Sequence, residues 1–169
     1  MKKGFTMIEL VFVIVILGIL AGIAIPRLAA TRDDASATKA AMEIKDVITQ
    51  VAAYYTINGK WAEAAVSTAG QEMINTNNQD IAAAATAQSK ALENLSATLN
   101  NVAGRAGDKW TACISITPNN ANGNIVIASK TNTTSYCKAV EQVPAVSEWI
   151  ELGKTTGIAV GGSGIYPTK

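Results

Sequence analysis

The run LVFVIVILGILAGIAI, residues 10–25, decides how this chain is organised, because none of its side chains is polar. With residues 5–9 before it, the segment is about 20 residues long, or about 30 Å as a helix, which matches the hydrocarbon core of a bilayer. Lys2 and Lys3 precede the segment, and the positive-inside tendency therefore places the N-terminus in the cytoplasm and the bulk of the chain outside. A secretory signal peptide cleaved near Gly22-Ile23-Ala24 and a plain signal anchor are two alternative interpretations.

Glu9 is the feature that neither alternative explains. A carboxylate inside an apolar membrane segment costs a few kcal/mol, up to about 3 at the bilayer centre and less near an edge. A charge in that position usually has a partner or a task, so we expect one for Glu9.

The residues around Glu9, Lys3-Gly4-Phe5-Thr6-Met7-Ile8-Glu9-Leu10, resemble the prepilin motif of type IV pilins and type II secretion pseudopilins. In that family a prepilin peptidase cuts after the glycine and methylates the new N-terminus. The resemblance implies cleavage between Gly4 and Phe5, N-methylation of Phe5, a role in assembly for Glu9 and a helix kink at Pro26. It is detailed over residues 1–60, and beyond them only the architecture is similar.

The resemblance also implies an organisation and a function. Residues 1–4 would be the leader, residues 5–26 the transmembrane and filament-core half of the first helix, and residues 27–169 the globular head with the amphipathic half of that helix. The chain would be a structural filament subunit of the bacterial inner membrane, with its head in the periplasm before assembly. Its partners would be further copies of itself, the prepilin peptidase, an inner-membrane assembly platform and the lipid bilayer. The alternatives are a pseudopilin of type II secretion and a pilin-anchored periplasmic binding module.

Small residues in the apolar run suggest close helix contacts. Gly18 and Gly22 form a Gly-x-x-x-Gly pair, which lets helices approach closely in lipid. Together with Pro26 they also weaken the helix, since glycine loses more entropy on ordering and proline lacks a backbone donor.

The composition excludes several kinds of active site. The chain has no histidine, which excludes a Ser-His or Cys-His nucleophile pair, a histidine base and a histidine-ligated metal. Its two cysteines cannot build a Cys₄ zinc site, and its acidic residues do not cluster as a calcium loop requires. We therefore expect no enzyme activity, no cofactor and no metal. The missing calcium site also favours a pilus subunit over a major pseudopilin.

DNA is the less favoured partner. The net charge is +1, from 14 basic and 13 acidic residues, and does not suggest a nucleic-acid-coating protein. Five basic residues of the head could still form a patch, although scattered surface residues are the simpler explanation: Arg105, Lys109, Lys130, Lys138 and Lys154.

The remaining pattern predicts an α+β fold, with a long N-terminal helix packed on a small antiparallel sheet as in pilins. Apolar residues recur at helical spacing beyond Arg27, and neither Gly nor Pro occurs in residues 28–57, so one helix is expected over residues 5–57. A second helix is expected over residues 71–103. Strands are expected over residues 110–117, 124–128 and 157–160, with a turn at 118–124 and a short helix around 146–152.

Cys113 and Cys137 are the only cysteines, and they lie in the part placed outside the cytoplasm. An oxidising compartment favours a disulfide between them. Two buried free thiols are the alternative. The bridge would close a loop of about 25 residues. It is similar to the disulfide-bounded C-terminal loop of type IV pilins, although a further 32 residues follow Cys137 here.

Overall fold

The long N-terminal helix is the largest element of the protein. The computed structural model describes Gly4, residues 6–61, 67–68, 71–72, Thr76, 78–85, 89–119 and 122–160. Helix α1, Met7–Asn58, has 52 residues, or about 78 Å at 1.5 Å per residue. It ends at Gly59, whose positive φ of 70° suits glycine and whose N–H donates to the Tyr55 carbonyl at 2.7 Å. The predicted helix is therefore confirmed, except that Phe5 lies outside the described residues.

Pro26 lies inside α1, and the helix continues through it. Because proline has no N–H, the carbonyl of Gly22 loses the donor that the next turn would supply. The kink at Pro26 stays a prediction, as does the division of the chain at that residue.

The strands among the described residues of the head form two antiparallel groups. Strands β1 (Ser67–Thr68) and β2 (Gln71–Glu72) pair with each other. The main sheet has the order β3–β4–β5 and consists of Ile114–Asn119, Asn124–Ser129 and Ile158–Ala159. The predicted α+β layout is confirmed.

The predicted strand at residues 110–117 is wrong in its first part, because Trp110–Ala112 form a turn of 3₁₀ helix. Strand β3 also continues through Pro118, where a turn was predicted. Pro118 is tolerated because β3 is an edge strand. Its carbonyl faces outward and accepts the Asn78 N–H at 2.7 Å, so the missing N–H removes no bond from the sheet.

The single helix predicted over residues 71–103 is also wrong. Part of that range is β2, and the described remainder forms three short helices: α2 (Ile81–Ala84), α3 (Lys90–Leu95) and α4 (Ala97–Ala103). Each begins at a side chain that accepts a backbone N–H, namely Asp80, Ser89 and Ser96. Short polar side chains of this kind bind backbone N–H groups and thereby interrupt a continuous helix. The apolar spacing alone does not reveal these interruptions, so the predicted helix was too long.

Two helices precede the last strand. Helix α6, Pro144–Gly153, contains the predicted short helix, whereas α5, Ser135–Gln142, was not predicted. Helix α6 packs on β4 so closely that a Cβ atom at Gly153 would collide with the Ile127 carbonyl oxygen. Glycine is therefore required there.

The core of the head forms around one side of the second half of α1. Six residues of α1 are buried there, at spacings of one, three or four: Ala37, Ala40, Ala41, Ile44, Val47 and Val51. Helices α4 and α5 pack on this side of α1. Trp61 and Trp110 are the largest fully buried side chains.

Candidate functional site

The Glu9 carboxylate forms a capping box with Thr6 at the start of α1. Glu9 Oε2 accepts the Thr6 backbone N–H at 2.8 Å and the Thr6 hydroxyl at 2.6 Å. In return, the Glu9 N–H donates to Thr6 Oγ1 at 3.3 Å. These bonds satisfy N–H groups that the first turn of a helix leaves without partners. Among the described residues, Thr6 is therefore the partner of Glu9.

Sequence reasoning treated Thr6 only as part of the motif and missed this role. The signal was present, since Thr-x-x-Glu before an apolar run is the pattern of a capping box. Gly4, the predicted end of the leader, is exposed. Phe5 lies outside the described residues, so its cleavage and methylation stay predictions.

In the described part of the single chain, nothing covers the first half of α1. From Met7 to Leu28 every side chain whose burial is described is exposed, including Phe12 at 66%. By length and composition, α1 is the one helix among the described residues that could cross a membrane. An apolar surface of this extent requires lipid or protein around it.

Gly18 and Gly22 lie on this uncovered half. A Cβ atom at either position would have no other atom within 4 Å. No packing in the described part of the chain therefore explains the small residues. Close approach of another helix, as a Gly-x-x-x-Gly pair allows, stays a prediction.

An ion pair attaches the second half of α1 to the head. The Arg105 guanidinium donates to both carboxylate oxygens of Glu43, from Nη1 at 3.0 Å and from Nη2 at 2.5 Å. The hydrogen bond to Glu43 raises the pKa of Arg105 above its usual range. Such a two-pronged pair fixes orientation as well as distance.

A second attachment lies two turns further along α1, at Gln50. Its Oε1 accepts the Ser96 hydroxyl at 2.7 Å, and its Nε2 donates to the Thr98 hydroxyl at 2.9 Å. The Gln50 amide thus holds the start of α4 against α1. Together with Glu43, it sets the position of the head along the helix.

Cys113 and Cys137, which were expected to pair, form a disulfide with Cα atoms 5.1 Å apart. The bridge joins the residue that precedes β3 to the first turn of α5. Because α5 packs on α1, the disulfide ties the sheet indirectly to the long helix.

Salt bridges within the chain engage three of the five basic residues considered as a DNA-binding patch. Arg105 binds Glu43, Lys130 pairs with Asp80 at 2.7 Å, and Lys154 pairs with Glu151 at 2.7 Å. Lys109 donates to the Ala103 carbonyl at 2.6 Å. Four of the five cations therefore have separate partners within the chain.

Among the described residues of the head, one surface cavity was the place to look for catalysis or metal binding. A surface cavity of about 450 Å³ between α2 and α5 has Asp108 and Tyr136 in its wall, but its cysteine is the disulfide-bonded Cys137. Burial is the main cause that raises the pKa of Tyr136 to about 12. The described residues include no group of three His, Cys, Asp or Glu that could hold a metal ion.

Residues 1–25 match the family model described as the prokaryotic N-terminal methylation motif. This is the prepilin-type signature of type IV pilins and pseudopilins, and it confirms the resemblance drawn from the residues around Glu9. The signature belongs to a family of structural proteins, not of enzymes. No curated protein and no solved structure matches the chain.

Proposed function

We propose that this chain, which carries a prepilin-type N-terminal methylation signature, is a structural subunit of a type IV pilus or a related filament. The observation that supports this best is the combination of that signature with a helix whose apolar half the head leaves uncovered. A pseudopilin of a type II secretion system carries the same signature and is the alternative function.

Maturation comes first in this proposal. The prepilin peptidase cuts between Gly4 and Phe5 and methylates the Phe5 amine. Until assembly, residues 5–26 lie in the inner membrane and the head lies in the periplasm, where the disulfide is stable. An inner-membrane assembly platform then moves the subunit from lipid into the filament.

Assembly exchanges one apolar environment for another. Lipid tails are as apolar as the leucine and isoleucine side chains of α1, so apolar burial alone gives little preference for one alignment of the helices. A polar contact is needed to choose the alignment, as a single buried polar residue does in a coiled coil.

Glu9 is the residue that we assign to this task. Its Oε2 is held by Thr6, while Oε1 has no hydrogen-bond partner among the described residues. We propose that this oxygen pairs with the methylated Phe5 amine of the next copy. In a water-poor filament core, this pairing replaces two poorly solvated charges by one ion pair.

Filament recovery with intact-mass analysis tests the function. Shear-released filaments from cells with the wild-type gene are expected to contain this chain starting at Phe5, with one added methyl group. A Gly4→Leu variant should stay in the membrane as uncut precursor, because a bulky side chain blocks close approach of the peptidase to the backbone. A mature start near Ile25, or no cleavage of the wild-type chain, would contradict the proposal.

A further inference from the structure

The surface cavity of about 450 Å³ in the head has the size of a small-molecule site, since such sites measure about 300–1,000 Å³. Its wall is made by α2, by the loop and the 3₁₀ turn before β3, and by the start of α5. Three alanines in and directly after α2, namely Ala82, Ala83 and Ala85, make one side of the wall apolar. The cavity can therefore hold the apolar part of a small molecule.

Two nearly buried hydroxyl groups of the wall lack a partner. Tyr136 is only 6% exposed and Thr111 only 7%, and neither hydroxyl has a hydrogen-bond partner among the described residues. Both hydroxyls are nevertheless accessible, because in the described part of the chain Trp110 Nε1 is the one enclosed side-chain polar atom without a partner. Polar groups at this depth normally form a hydrogen bond. Since both residues line the cavity, a molecule bound there can reach both hydroxyls.

The disulfide holds the two hydroxyls at the same cavity. Thr111 lies two residues before Cys113, and Tyr136 lies directly before Cys137. The bond between the two cysteines, with Cα atoms 5.1 Å apart, thus joins the 3₁₀ turn to the start of α5. A covalently fixed wall is formed before any ligand binds, which lowers the entropy cost of binding.

Asp108 supplies a free negative charge at the wall. It is exposed and has no hydrogen-bond or ion-pair partner among the described residues. Burial is the main cause that raises the pKa of Tyr136, and the carboxylates of Glu43 and Asp108 add to this effect while Arg105 opposes it. Arg105 already binds both oxygens of Glu43. The carboxylate of Asp108 is therefore the charge that remains without a counter-ion near the Tyr136 hydroxyl.

The other polar side chains of the wall are engaged in bonds within the chain. Lys109 Nζ donates to the Ala103 carbonyl at 2.6 Å. Asn132 Oδ1 accepts the Thr134 N–H at 3.2 Å, and Thr134 Oγ1 accepts the Cys137 N–H at 3.3 Å. The groups left open are thus one carboxylate and two hydroxyls.

Two further lysines lie close to the wall in the chain, but neither neutralises the Asp108 carboxylate. Lys130 donates to the Thr111 carbonyl at 2.7 Å, and the same ammonium pairs with Asp80 at 2.7 Å. Lys138 follows Tyr136 by two residues, or about 200° around α5, so it lies on the other side of that helix.

We propose that this cavity binds a small primary amine in its ammonium form. An ammonium group has three N–H donors and no acceptor, and the wall offers unpartnered oxygen atoms on three side chains, Asp108, Thr111 and Tyr136. The alkyl part packs on the alanines. A carboxylate ligand would be repelled by Asp108, and an alcohol would leave that charge unpaired. The inference goes beyond the proposed function, because the site lies in the head and does not depend on assembly.

Titration of the full chain with n-butylamine at pH 7, in a non-ionic detergent, tests the site. With ¹³C-labelled tyrosine rings, NMR should show a saturable shift of the Tyr136 signal, which is assigned by its loss in Tyr136→Phe. A dissociation constant in the millimolar range is expected for a ligand of this size. 1-Butanol and butyrate have the same alkyl chain without the positive charge. Binding of either one as tightly as butylamine would overturn the inference.

Two variants of nearly unchanged size locate the contacts. Asp108→Asn should weaken butylamine binding about fivefold, and Thr111→Val about five- to tenfold. The matched control is Glu148→Gln, which removes an exposed carboxylate of α6 outside the wall and should bind like the wild type. Because Asp108 is exposed, its variant keeps the test valid if Thr111→Val fails to fold. Equal binding by Asp108→Asn and Glu148→Gln would refute the site.

A last probe separates a free amine from a lysine side chain of another protein. Nα-acetyl-lysine methylamide carries the same butylammonium group on two amide groups. It is expected to bind more weakly than butylamine, because the alanines of the wall cannot pair with those amides. Equal or tighter binding of this probe would overturn the free amine as the ligand.

Discussion

Glu43 in α1 and Arg105 in the loop after α4 form a two-pronged ion pair although they are 62 residues apart in the sequence. The Glu43 side chain is only 13% exposed and the Arg105 side chain 32%. Removing one partner of such a pair leaves a poorly solvated charge, which costs more than the pair itself contributes. The pair therefore controls how firmly the head is attached to the long helix.

Arg105→Ala is expected to lower the free energy of unfolding by about 1–3 kcal/mol, because Glu43 then stays partly buried without its main partner. Arg105→Lys should recover only part of this loss, since an ammonium group cannot bind both oxygens in the same geometry. Urea unfolding of the detergent-solubilised full chain, followed by tryptophan fluorescence, measures the change.

Lys154→Ala is the matched control for Arg105. Its pair with Glu151 has a similar distance, 2.7 Å, but the two side chains are 64% and 72% exposed. Its loss should cost less than about 0.5 kcal/mol. An equal loss in the free energy of unfolding for the Lys154 and Arg105 variants would show that the partly buried pair with Glu43 contributes no more than an exposed ion pair.

The long helix could be predicted because its signals are local. The polar-free run at residues 10–25 and the lack of Gly and Pro in residues 28–57 both lie within the element that they describe. The capping box of Thr6 and Glu9 was equally readable from the Thr-x-x-Glu spacing.

The head could be predicted only in outline. The helix breaks at Ser89 and Ser96 depend on side-chain caps that compete with good apolar spacing, so the balance between the two decides the structure. The pairing of Glu43 with Arg105 has no local signal at all. It depends on how α4 and α5 pack on α1. The residue pattern of a single sequence does not indicate this packing.

Tyr136 is expected to make the head sensitive to high pH. Burial, with a further contribution from Glu43, raises its pKa to about 12, against 10 for an ordinary tyrosine. Because the folded chain holds the phenol proton more tightly, this contribution is fully present below pH 10 and is lost as the pH rises towards 12.

The measurement compares unfolding of the wild type and Tyr136→Phe at pH 9 and pH 11. Between these two pH values, the free energy of unfolding of the wild type is expected to fall by up to about 1 kcal/mol more than that of the variant. Tyr54, whose pKa burial also raises, is present in both proteins and cancels in the comparison. An equal fall in the free energy of unfolding of the two proteins would show that Tyr136 does not cause the sensitivity to high pH.

The disulfide is expected to stabilise the head without affecting membrane insertion. Replacing both Cys113 and Cys137 by serine should lower the free energy of unfolding by about 3 kcal/mol, from the entropy of a loop with a sequence separation of 24. Protein abundance and protease resistance of the head should fall, whereas the membrane fraction should still contain the chain. Equal abundance and resistance in the variant would show that the bridge contributes nothing.

Glu9 has two roles to separate, the cap of its own helix and the proposed pairing with the next copy. Glu9→Leu removes both roles, and Glu9→Gln keeps an acceptor oxygen without the charge. Thr6→Val removes the hydroxyl of the capping box but leaves the Glu9 carboxylate in place. An N-terminal cap is worth about 1 kcal/mol, which is too little to prevent membrane insertion or cleavage.

We therefore expect Glu9→Leu to be inserted and cut after Gly4 but to be absent from sheared filaments, with Glu9→Gln intermediate and Thr6→Val close to the wild type. Immunoblots of membrane and filament fractions, with intact mass for the cleavage, measure these outcomes. If Thr6→Val fails as completely as Glu9→Leu, the cap and not the pairing explains the requirement. If Glu9→Leu assembles at the wild-type level, Glu9 does not set the alignment, and the carboxylate serves only recognition by the peptidase or the assembly platform.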